Sequence, residues 1–101
     1  MMYTQKELIN KLTPIFMEYP VKRAALFGSY ARGEQGDNSD VDIFLELDFT
    51  NNLTDFFYVF WDKLEDAIKL KVDVLTNGSL ESAPKRFRDQ IFNELKYIYE
   101  I

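Results

Sequence analysis

Between Asp40 and Leu47 the sequence alternates without a break, with Val41, Ile43, Leu45 and Leu47 on one side and Asp40, Asp42, Phe44 and Glu46 on the other. A period of two predicts a strand, because successive side chains leave an extended backbone on opposite faces. Such a strand is stable only within a sheet whose apolar face is covered by other elements. The rest of the chain must supply neighbouring strands and a covering layer, and 101 residues leave room for one modest core.

The remaining segments read accordingly. Thr4 and Glu7 form a capping-box pattern, and Leu8, Ile9, Leu12, Ile15 and Phe16 follow at helical spacing. Pro14 predicts a kink or the end of that helix's regular part, and Pro20 closes the segment. Val21 to Phe27 reads as a strand stopping at Gly28, Ser29 to Gly33 as a turn into a short helix, and Glu34 to Asn38 as a loop. Asp48 to Asn52 reads as a turn. Leu53 to Leu70 carries Phe56, Phe57, Phe60, Trp61, Leu64 and Ile68 at helical spacing. Val72 to Leu75 predicts a short strand ending at Asn77-Gly78, and Phe87, Ile91, Leu95 and Ile98 predict a last helix beginning after Pro84. The alternation predicts a single domain over residues 1–101 of the α/β (α+β) class, a small mixed sheet of three or more strands with helices packed on it.

Composition narrows the chemistry. Cysteine and histidine are both absent, so there is no disulfide, thiol nucleophile, thiolate metal site or imidazole base. Acid–base and metal chemistry falls to carboxylates, which suit hard cations such as magnesium. Seventeen acidic against 12 basic residues give a net charge of −5, the opposite of what gripping a nucleic acid backbone requires. The N-terminal residues include no apolar stretch of signal-peptide length, and the aromatic run from Phe56 to Trp61 is far shorter than the ~20 residues of a membrane span. The expected location is the cytoplasm, with no membrane association.

Asp40 and Asp42 project from the same strand face and could share one cation or a close pair of cations. Alone, an acidic face on an amphipathic strand needs no ligand. Gly28-Ser29 adds the complement, since a glycine between a strand and a helix lets a phosphate approach the backbone, while amides and a hydroxyl offer donors.

With these residues the chain resembles the minimal nucleotidyltransferases of the DNA polymerase β superfamily. Leu26-Phe27-Gly28-Ser29-Tyr30-Ala31-Arg32-Gly33 and Ser39-Asp40-Val41-Asp42 match that family's signature of Gly-Ser, ten residues, then Asp-x-Asp. The resemblance implies that Asp40 and Asp42 hold Mg2+ and that Gly28 and Ser29 cradle the triphosphate of ATP. It also implies a third carboxylate on a later strand, for which Asp73 is the matching position. Asp73 would help to bind metal and to deprotonate an acceptor hydroxyl that attacks the α-phosphorus. Arg32 and Lys71 are further phosphate-contact candidates; Tyr30 and Glu46 are assigned no chemistry.

Minimal members of this family are commonly encoded beside a HEPN-domain protein as its antitoxin, and some transfer AMP to a tyrosine of that partner. The resemblance implies this activity here, with a homo- or hetero-oligomer left open. Two alternatives stay open: a binding module that neutralises its partner by docking, motivated by the aromatic helix, and the catalytic chain of a two-chain small-molecule nucleotidyltransferase.

Overall fold

The structure is a computed structural model that describes residues 3–37, 39–47 and 54–101. The turn expected at 48–52, together with Leu53, lies outside the described residues, as do Asn38 and the side chains of residues 54–56, Phe56 included.

Helix α1 (Gln5–Met17) leads into strand β1 (Val21–Phe27), the one-and-a-half-turn helix α2 (Gly28–Arg32) and strand β2 (Val41–Leu47). Helix α3 (Thr54–Ile68), strand β3 (Val72–Thr76), helices α4 (Asn77–Glu81) and α5 (Lys85–Glu94), and strand β4 (Lys96–Glu100) follow. The sheet order is β3-β2-β1-β4. β2 and β3 run parallel, joined by α3 as crossover, while β1 is antiparallel to both β2 and β4. The mixed α/β sheet expected from the sequence is present, with four strands among the described residues.

The capping box forms as read: the Glu7 amide donates to Thr4 Oγ1 at 3.1 Å, and the Thr4 amide donates to Glu7 Oε1 at 2.9 Å. Pro14 does not end α1, which continues to Met17. Leu8, Leu12 and Phe16 are fully buried and pack with Phe60, Leu64 and Ile68 of α3 over Leu26, Ile43, Leu45 and Val72 of the sheet. This apolar face is the one the β2 alternation predicts.

Three expectations change. Phe44, assigned to the polar side of β2, is only 3% exposed, because α4 and α5 cover the second sheet face with Leu80 and Ile91. Asn77 and Gly78 open α4 rather than a turn, with the Thr76 hydroxyl capping it by accepting from the Ser79 amide at 3.2 Å. The last helix stops at Glu94. Lys96 to Glu100 instead pair with Arg23 to Leu26 as an edge strand, taking Leu95 and Ile98 out of the helix.

α3 also fixes the start of β3. Trp61 Nε1 donates to the Val72 carbonyl at 2.7 Å, and the Val72 amide donates to Glu65 Oε2 at 2.9 Å. Trp61→Phe keeps the ring contacts but leaves that carbonyl without its donor, so it should cost about 1 kcal/mol. A thermal melt would register a drop of several degrees; an unchanged midpoint would show that this bond does not hold β3.

Candidate active site

The carboxylates meet where three strand ends converge. β2 and β3 pair in register with Asp42 level with Asp73, and β1 pairs with β2 so that Phe27 is level with Asp42. The Val41 amide donates to the Lys71 carbonyl at 2.9 Å, which ties the two parallel strands together just ahead of the aspartates. Asp40 sits one residue before β2, half-buried, after a turn closed by the Gly36 amide donating to Ser39 Oγ at 2.8 Å. Asp42 and Asp73 thus stand side by side on two adjacent strands, with Asp40 just ahead of β2, on the sheet face covered by α4 and α5.

β1 ends at Phe27, so Gly28 opens α2 directly against Asp42. Gly28 has φ +70°, and a Cβ built on it would fall on Asp42 Oδ2 and lie 3.1 Å from the carboxyl carbon. Two independent constraints, conformation and space, therefore require glycine here. Ser29 is half-buried beside it. Tyr30, which the sequence left without a role, is fully buried and anchors α2: its hydroxyl accepts from the Tyr3 amide at 3.4 Å, and its carbonyl accepts from Gln5 Nε2 at 3.0 Å.

Electrostatics set Asp42 apart. Its pKa is pushed up from 3.8 to about 6, first by burial, then by the charges of Asp73 and Asp40 and by a hydrogen bond with Asp73, against a smaller opposing pull from Arg32. Crowded like charges in a partly dry site are what a bound cation relieves. Among the described residues no three carboxylates are drawn tightly enough together to hold a metal as they lie. The donor set nonetheless fits a hard divalent cation: adjacent carboxylate oxygens, no competing nitrogen or sulfur ligand, and one member whose charged form is disfavoured by burial and by its like-charged neighbours.

Arg32 ends α2 and is bound by two carboxylates, its Nε donating to Glu34 Oε2 at 2.9 Å and its Nη1 to Glu94 Oε1 at 3.0 Å. Glu94 was not foreseen. Its other oxygen, Oε2, accepts from the Gly28 amide at 3.2 Å. Its partners lie more than sixty residues away (62 and 66) in the chain, so no local pattern marks it. Lys71 is exposed. Glu46, assigned no chemistry, is half-buried and pairs with Arg23 at 2.6 Å.

The polymerase beta nucleotidyltransferase family model matches residues 10–101. The chain belongs to this family. This nucleotidyltransferase is 41% identical over 88 residues to a Methanocaldococcus jannaschii protein to which protein adenylyltransferase activity has been ascribed, covering 87% of this chain and 90% of that one. It is 34% identical over 85 residues to the protein adenylyltransferase MntA of Thermococcus cleftensis, covering 80% and 85% of the two chains. Among solved structures it superposes on a chain of a toxin–antitoxin complex with AMP-PNP at TM-score 0.71 and 26% identity, covering 92% of this chain and 73% of that one. A chain from the complex of a tri-AMPylated Shewanella oneidensis HEPN toxin with its MNT antitoxin shares the fold at TM-score 0.66 and 21% identity, covering 96% and 73%. The nucleotidyltransferase assignment and the fold read from the sequence both hold. Among the described residues no helix is long and apolar enough to cross a membrane.

Proposed function

We propose that this nucleotidyltransferase transfers AMP from ATP, with Mg2+, to a tyrosine hydroxyl of a HEPN-type partner and so acts as its antitoxin. The observation that carries the reading is the strand register: Asp73 stands level with Asp42, and Gly28 lies against Asp42 on the other side. A phosphate-approach point and a paired carboxylate site thereby share one strand end. Relatives named as protein adenylyltransferases, and a toxin–antitoxin complex holding an ATP analogue, support the acceptor class and the nucleotide.

Position supports the following roles. The Gly28 amide, the Ser29 hydroxyl and Arg32 bind the phosphates. Asp40, Asp42 and Asp73 would hold Mg2+, which when bound offsets charge developing on the attacking and leaving oxygens. Asp73, on the outer of the two strands, takes the proton of the acceptor hydroxyl. The acceptor oxygen bonds to the α-phosphorus, the bond from that phosphorus to the bridging oxygen breaks, and pyrophosphate leaves with the electron pair.

The test is direct. The chain, Mg2+ and ATP labelled at the α-phosphate should label the protein encoded beside it, and Asp42→Ala should not. Absence of label with the native chain would sink the proposal.

One observation favours docking as a second reading. On α3, Tyr58 and Val59 are 72% and 51% exposed although their neighbour Phe60 is buried, leaving an apolar strip suited to a protein surface. If a doubly substituted Asp40→Ala/Asp42→Ala chain still neutralised the partner in cells, docking would be the better account.

A further inference from the structure

Glu94 is the last residue of α5, and its carboxylate is only 19% exposed. An acidic side chain is disfavoured at a helix C-terminus, where the helix dipole is already negative. What holds it there is external to its own helix: the Gly28 amide at 3.2 Å on one oxygen and the Arg32 guanidinium at 3.0 Å on the other. A backbone N–H and a guanidinium converging on two oxygens of one anion is also how a phosphate is held. Both donors belong to the proposed nucleotide seat, so an anion already sits where an anionic substrate is to bind.

We infer that Glu94 is an internal competitor for the phosphate seat, an anion of this chain that the phosphates of a nucleoside triphosphate must displace from Gly28 and Arg32. The inference rests on the nucleotide-binding reading and deepens it. Displacement exchanges one anion for another on the same donors, so little hydrogen bonding is gained, and the displaced carboxylate remains close enough to repel the newcomer. Glu94 therefore sets the nucleotide KM upward without touching the reacting atoms. Because the contest is over phosphates, it is blind to the base. Between visits of substrate, the carboxylate keeps Arg32 and the Gly28 amide partnered.

Glu94→Gln preserves shape and one acceptor oxygen but removes the charge. It should tighten binding of MgATP, MgGTP and inorganic tripolyphosphate alike by about tenfold, the equivalent of weakening one charge-assisted bond by about 1.4 kcal/mol. KM for ATP should fall to match, with kcat unchanged. A carboxylate that merely positioned Arg32 would give the opposite sign, weaker binding in Glu94→Gln, and that result overturns the inference. Unchanged affinity overturns it too, while leaving nucleotide binding intact. No binding of MgATP to either protein at millimolar concentration would instead remove the underlying nucleotide reading. Should the variant fold poorly, the native chain supplies the second measurement. Titration with tripolyphosphate should shift the Glu94 carboxyl carbon and the Gly28 amide resonances together. A Glu94 signal that stays fixed while the Gly28 amide saturates overturns the displacement.

Discussion

Asp42→Asn should abolish nucleotide transfer, by at least about a hundredfold, and at the same time make the metal-free protein more stable at neutral pH. Both effects come from one carboxylate. Its pKa of about 6, raised from 3.8 by burial and by Asp73 and Asp40, means that between those two values the folded chain keeps a proton that the unfolded chain releases. Raising pH through that window therefore weakens folding, and above about 6 the loss is complete. The full shift corresponds to about 3 kcal/mol. Asp42 is only half-buried, and solvent screening reduces the expected contribution to about 1 kcal/mol. Asparagine carries no charge and can donate its amide to Asp73, so the variant should melt several degrees higher at pH 7 in chelator. Its stability should lack the decline that the native chain shows between about pH 4 and 6. Added Mg2+ should raise the melting point of the native chain and leave the variant nearly unmoved. A variant that melts lower at pH 7, or responds to Mg2+ like the native protein, would contradict the assignment of Asp42 as a strained, cation-seeking carboxylate. Active sites commonly store instability of this kind, and it separates a functional aspartate from a surface one.

How far the sequence could be read depended on the range of the interaction that decides each residue. The strand through Asp42 and the cap at Thr4 were legible because both are settled within a few residues: side chains alternate along an extended backbone, and a capping box closes over one turn. Asp73 was marked by the family resemblance, and its pairing with Asp42 then needed only adjacent strands, which a helical crossover between parallel strands makes natural. Phe44 was misplaced because the alternation of β2 shows one apolar face and cannot show that α4 and α5 return to cover the other. β4 was missed for a related reason. Leu95 and Ile98 continue the spacing of Phe87 and Ile91, yet Lys96 to Glu100 also sets three strand-favouring residues, Tyr97, Ile98 and Tyr99, in a row. Five residues suit either element, and the free edge of β1 decides between them. Glu94 lies beyond any such reading, since its place on Gly28 exists only once α5 has packed across the sheet.

Gly28→Ala should be the most damaging change of a single methyl group, and Gly33→Ala measures how much of that damage is conformational. The two glycines have nearly the same backbone, with φ of +70° and +72°. Alanine in that left-handed region costs about 1–2 kcal/mol at either site. They differ in what the new methyl meets. At Gly33 nothing lies within 4 Å, whereas at Gly28 the methyl lands on Asp42 Oδ2. Asp42 is a strand residue paired on both sides, so it cannot withdraw without disturbing Phe27 or Asp73. Forcing an atom into such a space adds about 1–3 kcal/mol. Gly33→Ala should therefore melt a few degrees lower and bind MgATP as the native chain does. Gly28→Ala should melt lower by about twice as much and lose measurable MgATP binding and transfer, because the phosphate approach to the backbone and the seat of Asp42 are spoiled together. Equal destabilisation in the two variants, with nucleotide binding kept in both, would mean that Gly28 serves only the turn. The contrast isolates the close approach of backbone to carboxylate, the one feature of the site that a side chain of any kind would destroy.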